Sequence, residues 1–421
     1  MQKKDFWKGF GVALVLMAVV YFGGQFLAQM NIALPFGMST MAKIRQIEKT
    51  LDTYYVEDYD KELAEELMYT GLAAGVGDPY TYYLSADSLA EQMEKNSGHF
   101  VGIGVEIYAG DDGYIVVSSV TPGGPAEAAG ILAEDKITEV DGESITGKTA
   151  ADVSALVKGE AGTDVTLTIF RESTGEVLEK TVTRQDIQVK TVSWRMMEDN
   201  IGYIAITNFR ENTYSQFKEA LDMLEAEGME KLVLDLRNNT GGLVKSAHEI
   251  GEELLPEGIM VYTMDKDGNR EDTLCDDVYN DVPLVVLVNG NSASAAEILA
   301  GAIQDTGRGQ LIGTTTFGKG LVQRLFTLPD GSGLNVTIQK YYTPNGTSIH
   351  GVGITPDYEV ELPEEYAQQT NIPAEADTQL QKAVEVCRKK TYNIVKKQIF
   401  SEKRLFNRLC FRYTDKKSMS R

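Results

Sequence analysis

The segment Asn289-Gly-Asn-Ser-Ala-Ser-Ala-Ala-Glu-Ile298 lies where a predicted strand gives way to a predicted helix. The apolar, largely β-branched run Pro283–Val288 before it is typical of a buried strand. Strong helix formers follow Asn291, so Ser292 and Ser294 are placed at the amino terminus of a helix. A hydroxyl there lies near free N–H groups and suits a nucleophile whose reaction develops an oxyanion. Taken alone, the segment favours an N-cap role for one of these serines over catalysis.

A nucleophilic serine needs a general base, and the three histidines, His99, His248 and His350, lie in no recognisable catalytic setting. A lysine can replace histidine when desolvation lowers its pKa towards neutrality. Lys319, in the run Phe317-Gly-Lys-Gly-Leu-Val-Gln323, is the candidate, because its glycine neighbours allow close backbone approach. Gln323, four residues on, could orient the amine through its side-chain oxygen if the segment coils or turns back. From spacing alone, a surface lysine in a glycine loop is the better-supported interpretation.

The runs Ser-Ala-Ser-Ala-x-Glu and Phe-Gly-Lys-Gly-x-x-Gln resemble those of the carboxyl-terminal processing peptidases, the tail-specific serine proteases of family S41. The resemblance covers roughly residues 44–385. Three further stretches match in the same order: Gly77-Asp-Pro-Tyr-Thr-Tyr-Tyr83, Asp235-Leu-Arg-Asn-Asn-Thr-Gly-Gly242, and Tyr342-Thr-Pro-Asn-Gly through Gly353-Ile-Thr-Pro-Asp357.

This resemblance implies a nucleophile at Ser294, a general base at Lys319 and an orienting residue at Gln323. It places the oxyanion hole at the backbone N–H groups of Gly242 and Ala295, with Gly241 as a further candidate. Thr240 stands where the family usually has proline, which loosens the loop that carries these glycines. Asp235 and Arg237 are expected to be structural.

The predicted fold is a multidomain α+β chain with an α/β, crotonase- or ClpP-like protease core at residues 188–365. Strands at Ile201–Ile206 and Lys231–Leu236 enclose a predicted helix, Tyr214–Glu227, which is the alternation of a βα-type core. Leu334–Tyr342 reads as a further strand, expected to complete the sheet near the site and to align the substrate.

Short strands and glycines fill residues 98–187, and the text Pro122-Gly-Gly-Pro-Ala followed by Asp135-Lys-Ile-Thr-Glu-Val-Asp-Gly142 resembles a permuted PDZ domain of bacterial proteases. A PDZ domain binds a chain end by strand addition, and loop N–H groups receive its carboxylate. The loop Gly102-Ile103-Gly104-Val105 is the predicted peptide-binding site, since glycines expose backbone donors. The alternative is a plain β-bulge without a ligand.

The first 40 residues are predicted to be a cytoplasmic stub and a transmembrane anchor. Residues 1–8 are basic, and Phe10–Ala28 is almost wholly apolar and close to the ~20 residues that cross a bilayer. Lysines before the span and an acidic body after it predict a single-pass bacterial membrane protein with its catalytic body outside the cytoplasm. A cleaved signal peptide is the alternative.

Two further segments flank these domains. Residues 41–97 read as a helical module through Met41–Glu94, expected to pack on the rest of the chain or on another subunit; the resemblance implies homodimerisation. Residues 366–421 hold a predicted helix, Thr378–Val386, and a basic tail. That tail is expected to be solvated, with contact to an anionic membrane surface as the alternative.

Composition excludes several classes of function. A net charge of −22 argues against nucleic acid as a partner, since phosphate binding needs clustered Lys and Arg. Three cysteines make no disulfide framework, and no Cys/His cluster has metal-ligand spacing, so neither a metal nor another cofactor is expected. The predicted activity is acyl transfer on proteins with free C-termini. A non-catalytic PDZ scaffold and a crotonase-type acyl-CoA enzyme are the alternatives.

Overall fold

The computed structural model describes residues 38–366, 369 and 372–389. The predicted membrane span and the basic tail beyond residue 389 therefore lie outside the described residues. Within the described ranges, no helix is both long and apolar enough to cross a membrane. The chain divides into two compact units, Met1–Met68 and Tyr69–Arg421.

The helices are α1 Met38–Tyr54, α2 Lys61–Ala74, α3 Ala86–Ser97, α4 Pro125–Ala128, α5 Ala150–Val157, α6 Thr213–Ala226, α7 Val244–Leu254, α8 Ala295–Asp305 and α9, residues 378–389. The strands that precede the protease core are β1 Tyr82–Leu84, β2 His99–Gly102, β3 Val105–Ala109, β4 Ile115–Val120, β5 Lys136–Val140, β6 Glu143–Ser144, β7 Asp164–Arg171, β8 Glu176–Thr183 and β9 Gln185–Gln188.

The remaining strands are β10 Val192–Met197, β11 Ile201–Ile206, β12 Lys231–Asp235, β13 Gly258–Asp265, β14 Arg270–Cys275, β15 Leu284–Val288, β16 Gly309–Gly313, β17 Leu321–Thr327, β18 Gly333–Tyr342 and β19 Tyr358–Glu359. The helices and strands predicted for the core are confirmed to within three residues at their ends.

In the amino-terminal unit, Asp52 on α1 accepts hydrogen bonds from Tyr59 and Lys61, which join α1 to the start of α2. The prediction that residues 41–94 are helical is wrong at β1. That segment instead pairs antiparallel with β18, because an extended Tyr82–Leu84 can supply backbone partners to a strand that is otherwise open there.

The predicted PDZ region forms a sheet of order β3-β4-β5-β7-β8, with β6 paired to β5. Its core lies between this sheet and helices α4 and α5, with Val117, Val153 and Leu167 fully buried. Strand β8, which the sequence did not suggest, completes a long hairpin with β7. A separate two-stranded ribbon of β2 and β9 brings the two ends of the region together.

The protease core is a six-stranded sheet of order β10-β11-β12-β15-β16-β19, with β11, β12, β15, β16 and β19 parallel. Side chains of β12 alternate between two apolar layers, as strand geometry requires. Leu232 and Leu234 pack on the layer formed by α6, α7 and α8. Val233 packs on the opposite layer, to which α9 contributes Leu380 and Ala383. Burial on both faces explains why these strands are continuously apolar.

A second sheet has the order β1-β18-β13-β14, with β17 also paired to β18. The predicted strand Leu334–Tyr342 is confirmed as β18, and it belongs to this second sheet, whose strand β17 carries Gln323. A short turn after Leu328 folds β18 back on β17, and the resulting hairpin joins β13. On the side opposite β17, β18 pairs with β1 at residues 333–335 and with β13 at residues 339–342, so most of that edge is already occupied.

Candidate active site

Ser294 lies between β15 and α8 in a sparsely populated backbone conformation, with φ 55° and ψ −117°. Such a conformation costs roughly 1–3 kcal/mol and persists only where the surroundings enforce it. The N-cap interpretation is confirmed in position, because Ser294 is the residue before the first turn of α8. Ser292 has a purely internal role: its buried hydroxyl donates to the Leu236 carbonyl at 2.8 Å.

Glu297, fully buried in the first turn of α8, holds the two halves of the site together. Its Oε2 accepts the backbone N–H groups of Ser294 and Lys319, each at 2.9 Å. Its Oε1 accepts the Thr316 hydroxyl and the Gly318 N–H at 2.7 Å. Four donors offset the free-energy cost of burying this carboxylate. The carboxylate in turn fixes the backbone of Ser294 next to that of Lys319.

Lys319 is half-buried just before β17, and burial lowers the pKa of its amine. The negative charges of Asp78 and Glu297 oppose this shift and leave a net lowering. The amine also lies 4.4 Å from the centre of the Tyr80 ring. A lowered pKa increases the neutral fraction of the amine, which is the form that can accept a proton.

Gln323 lies in β17 opposite Thr337 of β18, at a register irregularity between Val322 and Gln323. Its Nε2 donates to the Thr337 hydroxyl oxygen at 3.1 Å. The amide nitrogen therefore faces β18, and the amide oxygen is left for another partner. Gln323 reaches the site along an extended strand and not through a coil.

Ser294, Lys319 and Gln323 all line one cavity of about 410 Å³. Thr240 and Gly242 contribute to the same wall, and Gln92 and Asn96 reach it from α3. The structure thus brings together three residues that the sequence spreads over 30 positions.

The glycine loop after β12 lies directly against the serine. A Cβ at Gly241 would come within 2.8 Å of the Ser294 Cβ, and one at Gly242 within 2.1 Å of the Phe209 carbonyl. The Gly241 N–H is already bonded to the Asn239 side chain at 2.9 Å, so Gly241 is a poor oxyanion donor. Phe209 and Gly242 form an isolated β-bridge. Its hydrogen bonds are donated by the Phe209 N–H to the Gly241 carbonyl and by the Leu243 N–H to the Phe209 carbonyl. The Gly242 N–H takes no part in that pairing.

Asp235 and Arg237, just before this loop, form a buried ion-pair network with Asp377 beside α9. The Arg237 guanidinium is 2.6 Å from Asp235 and 2.9 Å from Asp377. These carboxylates raise the pKa of Arg237 despite the opposing effect of burial. The network anchors the strand end that carries the glycine loop.

The predicted peptide-binding loop spans the end of β2 and the start of β3. Gly104 has a φ of +80°, and the Ile103 side chain is buried in the core of the PDZ region. The carbonyls of Ile103 and Gly104 accept the N–H groups of Ala126 and Thr121. The loop is therefore fixed against α4 and the end of β4.

A second, larger cavity of about 1100 Å³ lies beside the first and shares only Leu321 with it. Its walls are mainly apolar and include Tyr80, Leu334 and Val336.

Elsewhere in the described ranges, one group of side chains has potential metal-ligand atoms within 4.8 Å of one another: His248, Glu252 and Cys275. There the His248 Nε2 is 2.8 Å from the Leu274 carbonyl and 3.1 Å from Glu252.

Sequence reasoning missed four contributors to the site: Asp78, Tyr80, Glu297 and Thr337. Glu297 belongs to the serine motif, and Asp78 and Tyr80 belong to the Gly77–Tyr83 signature. The motifs therefore contained these residues but gave no indication of their roles. Thr337 carried no signal, because its role depends on the register of β18 against β17.

Comparison with known proteins agrees with the PDZ region and the protease core described above. The sequence model of the PDZ domain matches residues 116–171, and that of Peptidase family S41 matches residues 200–360. A carboxy-terminal-processing protease of Bartonella bacilliformis is 35% identical over 84% of this chain and 85% of its own length. A carboxyl-terminal-processing protease of Picosynechococcus is 38% identical over 75% of this chain and 77% of its own.

Among solved structures, the photosystem II D1 C-terminal processing protease is 33% identical and covers 76% of this chain and 87% of its own, with a TM-score of 0.45. The fold and the matches define a serine peptidase with a PDZ domain. The chain belongs to peptidase family S41, the carboxyl-terminal-processing proteases.

Proposed function

We propose that the protein cleaves exported proteins near their C-termini, with Ser294 as nucleophile, Lys319 as general base and Gln323 as the residue that orients the lysine. The observation that carries this proposal is the convergence of the three side chains on one cavity, where burial lowers the pKa of Lys319. A neutral amine beside a strained, helix-terminal serine is the arrangement that Ser-Lys hydrolysis needs.

The reaction balances as acyl transfer. Neutral Lys319 takes the proton of the Ser294 hydroxyl as its oxygen attacks the scissile carbonyl. The N–H groups of Gly242 and Ala295 stabilise the oxyanion, which is supported by the position of Gly242 in the cavity wall and of Ala295 at the first turn of α8. The ammonium form of Lys319 then gives its proton to the leaving amine. Water, deprotonated by the same lysine, releases the acyl group from Ser294.

The deciding experiment compares the full chain, purified in detergent, with Ser294→Ala and Lys319→Ala. Each is incubated with an unfolded protein that has an apolar C-terminus, and the fragments are identified by mass spectrometry. Cleavage by the parent alone supports the proposal. Cleavage by Ser294→Ala contradicts it, and CoA-thioester turnover by that variant would favour the crotonase-type alternative.

The PDZ region is proposed to bind the substrate's chain end at Gly102–Val105. Support comes from the left-handed Gly104 and from the rigid attachment of this loop to α4. Peptides with a free C-terminal carboxylate should bind the full chain more tightly than the same peptides with a C-terminal amide. Equal affinity would favour the bulge interpretation.

Attachment to a bacterial membrane through Phe10–Ala28, with the catalytic body outside the cytoplasm, is also proposed. It rests on the apolar length and the flanking lysines. Protease protection of the body in spheroplasts would contradict it. Homodimerisation through the amino-terminal module is proposed from the exposed apolar residues Ile47, Leu51 and Leu63 of α1 and α2, and sedimentation of the full chain tests it.

A further inference from the structure

The signature Gly77–Tyr83 precedes the PDZ region in the sequence. In the tertiary structure, its residues contact the proposed base, Lys319, and Thr337, which is the hydrogen-bond partner of Gln323. Asp78 follows α2, and its carboxylate is held by three donors. The Tyr80 N–H reaches Oδ1 at 3.0 Å, and the Thr81 hydroxyl reaches Oδ2 at 2.8 Å. The third donor is the Thr337 side chain. Burial raises the pKa of Asp78, but these bonds and the charge of Lys319 lower it overall, so the group is a carboxylate.

Thr337 connects this carboxylate to Gln323. Its hydroxyl oxygen accepts the Gln323 Nε2 at 3.1 Å, and its backbone N–H donates to the Thr81 hydroxyl at 3.1 Å. Asn335, two residues earlier on β18, donates to the Tyr80 carbonyl at 2.9 Å. The signature is thus fastened to β18 at several points, on the strand that faces Gln323.

The chemistry of the partners gives this chain of hydrogen bonds one direction. An ionised carboxylate only accepts, so the Thr337 hydroxyl must donate its single proton to Asp78. The hydroxyl oxygen can then only accept from Gln323, which requires the amide nitrogen on that side. The amide oxygen of Gln323 is consequently turned away from Thr337, where it can accept a hydrogen bond from the amine of Lys319.

We propose that Asp78, acting through Thr337, is a positioning residue that fixes the side-chain amide of Gln323 with its oxygen available to the catalytic base. Without the carboxylate, the Thr337 hydroxyl could donate to Gln323 instead and the amide could turn over, presenting its NH₂ group to the lysine. The Tyr80 ring, whose centre lies 4.4 Å from the amine, limits the orientations of Lys319. This inference rests on the proposed roles of Lys319 and Gln323.

The test uses the full chain with Thr337→Val, which keeps the shape of the side chain but removes its hydroxyl, and Thr337→Ser, which retains the hydroxyl. Thr327→Val, an exposed threonine on the neighbouring strand β17, is the matched control. Steady-state kinetics on a C-terminal peptide are measured with the rate at which a fluorophosphonate probe acylates Ser294. Thr337→Val is expected to lower kcat and the acylation rate by about 10- to 100-fold, with KM unchanged. Thr337→Ser is expected to recover most of that loss.

Asp78→Asn supplies an independent readout. Two carboxylates act on the Lys319 amine, Asp78 from the segment before β1 and Glu297 from α8, and both raise its pKa against the effect of burial. Removal of the Asp78 charge should therefore lower the pKa of Lys319 and move the acidic limb of the pH–rate profile to lower pH, while kcat on the plateau falls. The position of the limb reports the charge of Asp78, whereas the plateau kcat reports the orientation of Gln323, so a plateau kcat equal to that of the parent would contradict the positioning role.

Parental kcat and pH profile in Thr337→Val would overturn the inference, as would a loss that Thr327→Val shares or that Thr337→Ser does not recover. Ser294→Ala is assayed in parallel. If that variant remains active, the proposed nucleophile is wrong whatever Thr337 does. If it is inactive and Thr337→Val is fully active, the proposed function stands and the role of Asp78 fails.

Discussion

Ser294 and Lys319 are joined through one oxygen atom, since Oε2 of Glu297 accepts the backbone N–H groups of both residues at 2.9 Å. The proposed nucleophile and base are thus positioned by their backbones and not only by contact between their side chains. The link explains how Ser294 is held at a positive φ while Lys319 stays half-buried in a glycine-rich segment.

Glu297→Gln is expected to destabilise the protein by about 1–3 kcal/mol, because its NH₂ group would face N–H or O–H donors and leave them unsatisfied. The acylation rate of Ser294 should fall together with the free energy of unfolding. Urea denaturation and probe labelling measure the two effects. Glu249→Gln, at a partly exposed carboxylate paired with Lys245 in α7, is the control and should change stability by less than about 1 kcal/mol. Equal effects of both substitutions would contradict the bridging role.

Activity is expected to rise with pH and reach a plateau. The neutral form of Lys319 is the proposed base, and burial lowers its pKa, so the plateau should begin at a lower pH than for a solvated lysine. The measurement is kcat/KM from pH 5 to 10. Lys319→Arg preserves the positive charge but cannot lose a proton, so it should be inactive throughout. A flat parental profile would rule out Lys319 as the titrating base.

The same shift has a consequence for stability. Because the folded-state pKa of Lys319 lies below its unfolded value of about 10.5, the unfolded state binds more protons between the two pKa values. The contribution of this residue to stability therefore increases as pH rises through that window, and below it the buried ammonium is a penalty. Lys319→Met should stabilise the inactive protein at pH 7, and the gain should shrink towards pH 10. Thermal unfolding at several pH values tests this, and a gain that is constant with pH would contradict it.

The glycine loop should tolerate no side chain. Gly241→Ala would force a methyl group within 2.8 Å of the Ser294 Cβ and is expected to abolish acylation of the serine. Gly228→Ala is the matched control, since Gly228 also has a positive φ but has open space around it. The control should lose about 1–2 kcal/mol of stability from backbone strain and keep its activity. Activity retained in Gly241→Ala would show that the loop can move away from the serine.

Arg237→Met is expected to cost about 3–5 kcal/mol, because it leaves Asp235 and Asp377 buried without their cation. Arg270→Met, which breaks an exposed pair with Asp272, should cost less than about 1 kcal/mol. Urea denaturation at neutral pH separates the two. Similar costs would mean that the Arg237 network contributes no more than a surface pair.

The sequence indicated the core strands because both faces of the sheet are covered, so Leu284–Val288 and the central residues of Lys231–Asp235 read as apolar runs. It failed for β1, where Tyr82–Leu84 follows two amphipathic helices and carries no alternation of its own. For β18 the alternation predicted the strand but did not indicate which strands it pairs with. Pairing partners at long range leave no local pattern in the chain.

The residues of the candidate site show the same division between what local sequence predicts and what long-range contacts decide. The sequence by itself determined which side chains are available: a serine at a strand-to-helix turn, a lysine between glycines, and a glutamine four residues beyond it. Only the tertiary structure decided that Ser294, Lys319 and Gln323 share one cavity. It also decided that the Gly241 N–H donates to the Asn239 side chain, and that Asp78 interacts with Thr337, the partner of Gln323. Residue type and local spacing fix local conformation and reactivity. Distance, burial and hydrogen-bond direction depend on segments up to 256 residues apart, which only the packed sheets bring together.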